Sequence, residues 1–141
     1  MSAVVEPRPS LVRLTHVIYG LHSASLLIGI TTAATVVGAF LFGWPSIIAV
    51  ILNYVNRGET RGTWLESHFR WQIRTFWFGL LLVVLCGLSV LVTIGGGWGD
   101  VPVAAVGILI AWLPLVIVSL WFIYRIVRGW LRLVDRRPMY A

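Results

Sequence analysis

The sequence predicts an all-α integral membrane protein: a four-helix transmembrane bundle with a short or bent second helix and an interfacial start to the third. Three observations carry this expectation. The chain is 59% hydrophobic and only 11% charged, with mean hydropathy +0.91, whereas soluble domains carry roughly 25% charged residues. Uncharged runs of 19 residues (Phe76–Ile94) and 24 residues (Val101–Tyr124) reach the length of about 20 apolar residues that crosses a hydrocarbon core. The basic residues, 11 in all, are every one arginine and sit in three groups: Arg8 and Arg13, then Arg57, Arg61, Arg70 and Arg74, then Arg125, Arg128, Arg132, Arg136 and Arg137.

Arginine collects in short loops that stay in the cytoplasm. The three groups therefore predict a membrane protein with both termini and the Arg57–Arg74 segment on the cytoplasmic side, and Gly95–Asp100 on the opposite side. The whole chain, 1–141, reads as a single transmembrane helical domain with helices at about 10–30, 36–55, 63–94 and 101–134. The first apolar stretch is broken by His16, Tyr19 and His22 and offers no small-residue cleavage site, so no cleaved signal peptide is expected.

The first helix begins near Ser10. The apolar tract from Leu14 to Val55 is too long for one span, so it must cross and return. A reversal fits either the Thr31–Thr35 stretch or Gly43-Trp44-Pro45. Pro45 suits a helix start, where its missing N–H is an orphan anyway. The second helix thus begins at Val36 and bends at Pro45, or begins at Pro45 and falls short of a full span.

Asn56 to Gly62 is a polar, glycine-punctuated loop. Thr63-Trp64-Leu65-Glu66 has capping-box spacing: the Thr63 hydroxyl would accept from the Glu66 amide while the Glu66 carboxylate reaches back. A helix started there runs well before the apolar stretch at Phe76. Its first turns belong at headgroup level, with Glu66, Arg70 and Arg74 on one face. Asp100 is placed to cap the last helix, and Pro114 should kink it in mid-span.

With net charge +6 and pI near 10.8, nucleic acid would be the natural partner of a soluble chain. Arginines bordering membrane spans point instead to anionic phospholipids and away from nucleic acid. Arg57, Arg61, Trp64, Glu66, Arg70, Arg74, Arg125, Arg128 and Arg132 are the expected contacts to headgroups or to a partner protein. Cys86 is the single cysteine and lies in an apolar span, as packing material rather than a bridge. Metal-ligand spacing, nucleophile motifs and phosphate loops are absent from the sequence. No enzyme activity, cofactor or metal is therefore expected.

Two polar stripes break the apolar pattern. His16, Tyr19 and Ser23 share a face of the first helix, and His68, Gln72 and Thr75 share a face of the third, opposite Glu66–Arg70–Arg74. Polar side chains at membrane depth need partners, so both stripes should point inward. They are expected to form a polar seam, with His16 or Tyr19 facing His68 or Gln72. The alternative is a functional one, with His16, His22 and His68 holding haem or handling protons.

Gly43-Trp44-Pro45-Ser46-Ile47-Ile48-Ala49-Val50, Asn53-Tyr54-Val55 and Thr63-Trp64-Leu65-Glu66-Ser67-His68-Phe69-Arg70-Trp71-Gln72 resemble segments of small uncharacterised bacterial inner-membrane proteins. These are distantly similar to the channel family of the chloroplast inner-envelope translocon. His16, Pro45, Glu66, His68 and Gln72 match that group's pattern, and the resemblance runs from about Leu14 to Arg137. It implies four helices with cytoplasmic termini and offers a translocation-channel component as one role. The favoured expectation is a non-enzymatic accessory or regulatory subunit of a larger membrane complex, because the chain has eight tryptophans and aromatics are enriched at binding surfaces.

Overall fold

A computed structural model of the chain describes residues 5–32, 43–95 and 101–140. Among these residues the fold is four helices and no strand: α1 (Pro9–Thr32), α2 (Trp44–Asn56), α3 (Leu65–Gly95) and α4 (Val101–Val134). By length and composition, Pro9–Thr31 in α1 and Leu65–Ser89 in α3 are long and apolar enough to cross a membrane.

Proline opens both helices of the first half. α1 starts at Pro9, and α2 carries Pro45 in its first turn after Gly43. Neither ring removes a hydrogen bond there, and each fixes φ for the helix that follows. The described part of the expected second helix begins at Trp44, with Pro45 in its first turn, and ends at Asn56. At 13 residues, α2 is about 20 Å long. Positions 36–42 of the expected helix, the expected break at 33–35, the 96–100 loop and the Asp100 cap lie outside the described residues.

The capping box expected at Thr63 is not formed. The Thr63 hydroxyl donates to the Thr60 carbonyl at 2.7 Å, and the Glu66 amide reaches the Thr63 backbone carbonyl instead. Glu66 does reach back, but to the Gly62 amide at 3.0 Å. The cause is the tight turn before the helix, where Gly62 at φ +75° points its N–H at the carboxylate and leaves the Thr60 carbonyl free for Thr63.

α4 continues through Pro114 to Val134. Its end is a Schellman-type turn: Arg136 N–H donates to Leu133 O and Arg137 N–H to Arg132 O, both at 3.0 Å. Arg136 takes the left-handed position at φ +53°, which glycine ordinarily fills. Pro138 then prevents the helix from resuming.

α3 packs most extensively on α4, and α1 on α2, with α1 also lying along α4. One apolar cluster joins Leu11, Tyr19, Trp64, Leu65, Ile126 and Leu133, and a second joins Ile18, Ala49 and Phe69. Two helix contacts require glycine. A Cβ on Gly79 would run into the Phe122 ring, and one on Gly129 into Tyr19. At the arginine-rich end three segments meet. Val5 N–H donates to Gly62 O at 3.4 Å, Arg8 pairs with Glu59 at 3.5 Å, and Met139 N–H donates to Ser67 Oγ at 2.9 Å.

Candidate functional site

Among the described residues the buried polar side chains are Thr15 and His22 on α1, Ser46 and Asn53 on α2, Thr60 in the loop, and His68, Gln72 and Thr75 on α3. Three hydroxyls are satisfied within their own helices. Thr15 donates to Leu11 O at 2.7 Å, Ser23 to Tyr19 O at 2.9 Å and Thr75 to Trp71 O at 2.8 Å. Such back-bonding removes the cost of burying a hydroxyl. Of the larger groups, His22 and His68 bond to residues of other segments, whereas the Asn53 and Gln72 amides have no protein partner.

The centre of the seam is Tyr19 on α1 against His68 on α3, with Tyr19 Oη 3.2 Å from His68 Nδ1. The other ring nitrogen, Nε2, is 2.8 Å from the Arg137 carbonyl. A carbonyl only accepts, so Nε2 carries the proton; in the neutral ring Nδ1 is then the acceptor and the Tyr19 hydroxyl the donor. Both imidazole nitrogens are thereby engaged by the protein. Trp64 packs edge-on against the His68 ring at 5.7 Å.

Of the two residues expected to face the third helix, Tyr19 does so, and His16 turns to α4. Its Nδ1 accepts from Trp130 Nε1 on α4 at 3.0 Å, because an indole N–H can only donate. Trp130 also stacks on Tyr19, with ring centroids 6.2 Å apart and an interplanar angle of 16°. His22 turns to α2, its Nδ1 3.0 Å from Ser46 Oγ. Each histidine of α1 is thus tied to a different neighbouring helix.

Gln72 is buried beside them, but its side-chain amide has no hydrogen-bond partner in the protein, and neither has His22 Nε2. Both residues line one small cavity of about 10 Å³, together with Tyr19, Trp71, Thr75, Arg125 and Ile126. That volume is roughly one water-sized probe.

Two of the residues expected at headgroups or at a partner protein turn toward other helices, Trp64 buried and Arg125 partly buried. Trp64 is buried, at 7% exposure, because the turn at Gly62 tips it into the cluster with Leu11 and Leu133 rather than outward. Arg125 lies against α3: its Nε donates to Thr75 Oγ1 at 2.7 Å, and its guanidinium sits 3.6 Å from the Trp71 ring centroid. The stack and the hydroxyl offset part of the desolvation of the charge. Helical period made this position legible. Phe122, Arg125, Gly129 and Leu133 follow one another at i, i+3, i+7 and i+11, and Phe122, Gly129 and Leu133 form the inward stripe of α4.

The other expected contacts stay near the surface. Glu66 and Arg70 form an exposed ion pair at 3.0 Å, and Arg57 lies over the Tyr54 ring at 5.3 Å. Arg61 and Arg74 are exposed. Arg128 is exposed and bonds the Tyr124 hydroxyl. Arg132 is partly buried and donates to Pro138 O at 3.4 Å.

Sequence reasoning missed the C-terminal segment. Besides the Arg137 carbonyl on His68, Met139 is buried at 5% exposure and Tyr140 meets the Trp71 ring edge-on at 6.0 Å. Its one sequence signal is an apolar Met139-Tyr140 pair following the Pro138 stop. Among the described residues no three His, Cys, Asp or Glu side chains gather as a metal site. Compared with protein-family models, with curated proteins and with solved structures, the chain gives no match.

Proposed function

We propose that this chain is a non-enzymatic, multi-pass protein of a bacterial inner membrane, serving as an accessory or regulatory subunit of a larger membrane complex. The observation that carries the membrane reading is an inverted polarity. Histidine, glutamine, asparagine and threonine are buried, while Leu81, Val84, Leu88 and Leu91 on α3 and Ile117 and Leu120 on α4 are each about half exposed or more. Water would reverse that arrangement, and hydrocarbon favours it. In this reading all four helices belong to the bilayer region, α2 short of a full crossing, and the arginine-rich end faces the cytoplasm.

The accessory role is supported by what the histidines do. His68 holds two protein partners and His16 one on a neighbouring helix, so they act as struts between helices. Support from the tryptophans is reduced, since Trp64, Trp71 and Trp130 are used inside the bundle. Trp44 and Trp77 remain about half exposed and are the aromatic positions for a partner. Purification in a gentle detergent tests the role: a stoichiometric partner protein is expected to come with the chain. A lone monomer that turns over a substrate would overturn it.

One observation favours a second reading, a proton-handling protein. His22 Nε2 and the Gln72 amide, both buried and without protein partners, line the same cavity. In proteoliposomes loaded with a pH dye, that reading requires a proton flux that His22→Leu abolishes. Haem binding in its place would require a Soret band in the purified protein. The translocation-channel role rests on the sequence resemblance alone.

A further inference from the structure

We propose that the outer face of α4 holds one anionic phospholipid, its phosphate on Arg128 and Arg132 and an acyl chain along Leu120, Ile123 and Val127. This rests on the membrane reading above and adds to it a specific site. The face is a shallow groove of about 480 Å³ whose lining comes from α4 and the residue that follows it, Asp135. Its residues recur at i, i+3, i+4 and i+7 from Leu120 onward, so they form one stripe of the helix.

The stripe changes character along its length. Leu120 and Val127 are half exposed or more and Ile123 just over a third; Leu120 and Ile123 belong to the uncharged part of the helix, and Val127 lies between Arg125 and Arg128. Arg128, Arg132 and finally Asp135 follow toward the arginine-rich end. From Arg128 down to Leu120 is eight residues, about 12 Å along the axis, which suits the upper part of an acyl chain. Apolar lining below and cations above match the two parts of a phospholipid in the order a bilayer presents them.

The charges favour an anion. Among the described residues the ion pairs are Arg8–Glu59 and Arg70–Glu66, so neither Arg128 nor Arg132 has a carboxylate partner within pairing distance. Their partners are neutral, the Tyr124 hydroxyl and the Pro138 carbonyl. Asp135 lies at the far end of the same groove and leaves it with two cations against one anion. Each guanidinium has five N–H donors, so donors remain for a phosphate, which guanidinium groups bind in a forked, two-point geometry.

The test is native mass spectrometry of the full chain in detergent, titrated separately with phosphatidylglycerol, phosphatidylcholine of the same acyl chains, and inorganic phosphate. One phosphatidylglycerol is expected to be retained in preference to phosphatidylcholine. Arg128→Gln should lower that preference about fivefold and the double variant with Arg132→Gln roughly 30-fold. Arg13→Gln, exposed on another helix, should leave it unchanged. Val127→Trp, which fills the groove without touching the charges, should also weaken retention. Equal retention of the two lipids, an unaffected double variant, or full competition by inorganic phosphate would overturn the proposal. Carbonate-resistant fractionation of the same protein with membranes separates the two readings. A membrane-embedded chain that shows no lipid preference defeats the site alone, and a chain released by carbonate defeats both.

Discussion

The ring of Tyr19 occupies the space that a side chain at Gly129 would need: a Cβ built on Gly129 would lie 2.7 Å from Tyr19 Cε1. Tyr19 is fully buried and cannot swing aside without giving up its hydrogen bond to His68. α1 and α4 therefore approach closely only because residue 129 has no side chain, as small residues allow between packed helices. Gly129→Ala is expected to destabilise the protein by about 1–3 kcal/mol through overpacking. Gly20→Ala, with nothing within 4 Å of the added methyl, should be neutral or slightly stabilising, since alanine is the better helix former. Thermal unfolding in one detergent compares the two variants. Equal melting temperatures would refute the close packing of Tyr19 on Gly129.

Tyr19→Phe removes one oxygen and keeps the ring. The hydroxyl donates to His68 Nδ1, and the phenylalanine ring would leave that buried nitrogen without a donor. Interhelical bonds of this kind are worth about 0.6–2 kcal/mol in membrane proteins, and the loss should fall in that range. A cycle with His68→Phe separates the bond from the packing. The coupling should account for most of the Tyr19→Phe effect, and a coupling near zero would mean that the two groups are only neighbours.

The helix count and the period-based faces were readable from residues because a charge-free run and a polar stripe each depend on local spacing. Partner choice was not. His16, Tyr19 and His22 lie on one helix, yet they meet Trp130, His68 and Ser46 on three different helices. Which neighbour each one meets depends on how α1 is rotated and crossed, a long-range property that no single stripe encodes. Arg125 shows the opposite kind of miss. Its spacing places it with Phe122, Gly129 and Leu133, and although charge favours the surface, Trp71 and Thr75 provide the stack and the acceptor that hold the partly buried guanidinium against α3. The C-terminal segment escaped because tertiary docking leaves little pattern in four residues.

Arg136 holds a left-handed backbone at φ +53°, a conformation that costs a side-chain-bearing residue roughly 1–2 kcal/mol. Arg136 is exposed. Arg136→Gly should therefore relieve strain without removing packing, and the gain expected is about 0.5–1 kcal/mol after the added freedom of the unfolded chain is counted. Arg136→Val, β-branched at a positive φ, should lower stability instead. The pair is informative because both variants remove the same charge. If they shift the melting temperature equally, charge and not backbone strain governs this turn.

The last expectation concerns sidedness. The arginine groups are far apart in sequence, but the structure brings their segments to one end. Val5 meets Gly62, Arg8 meets Glu59, and the tail after α4 meets Ser67 and His68. Segments that touch must lie on the same side of any membrane, so the three groups cannot be divided between two faces. Arginine retains segments on the cytoplasmic side, and their sum at one end makes the preference strong. A reporter fused after Ala141 is expected to behave as cytoplasmic and one inserted after Trp98 as periplasmic. The reverse pair of results would refute the orientation and leave the fold intact. Two reporters on the same side would be more damaging, because α4 could then not cross the bilayer between them.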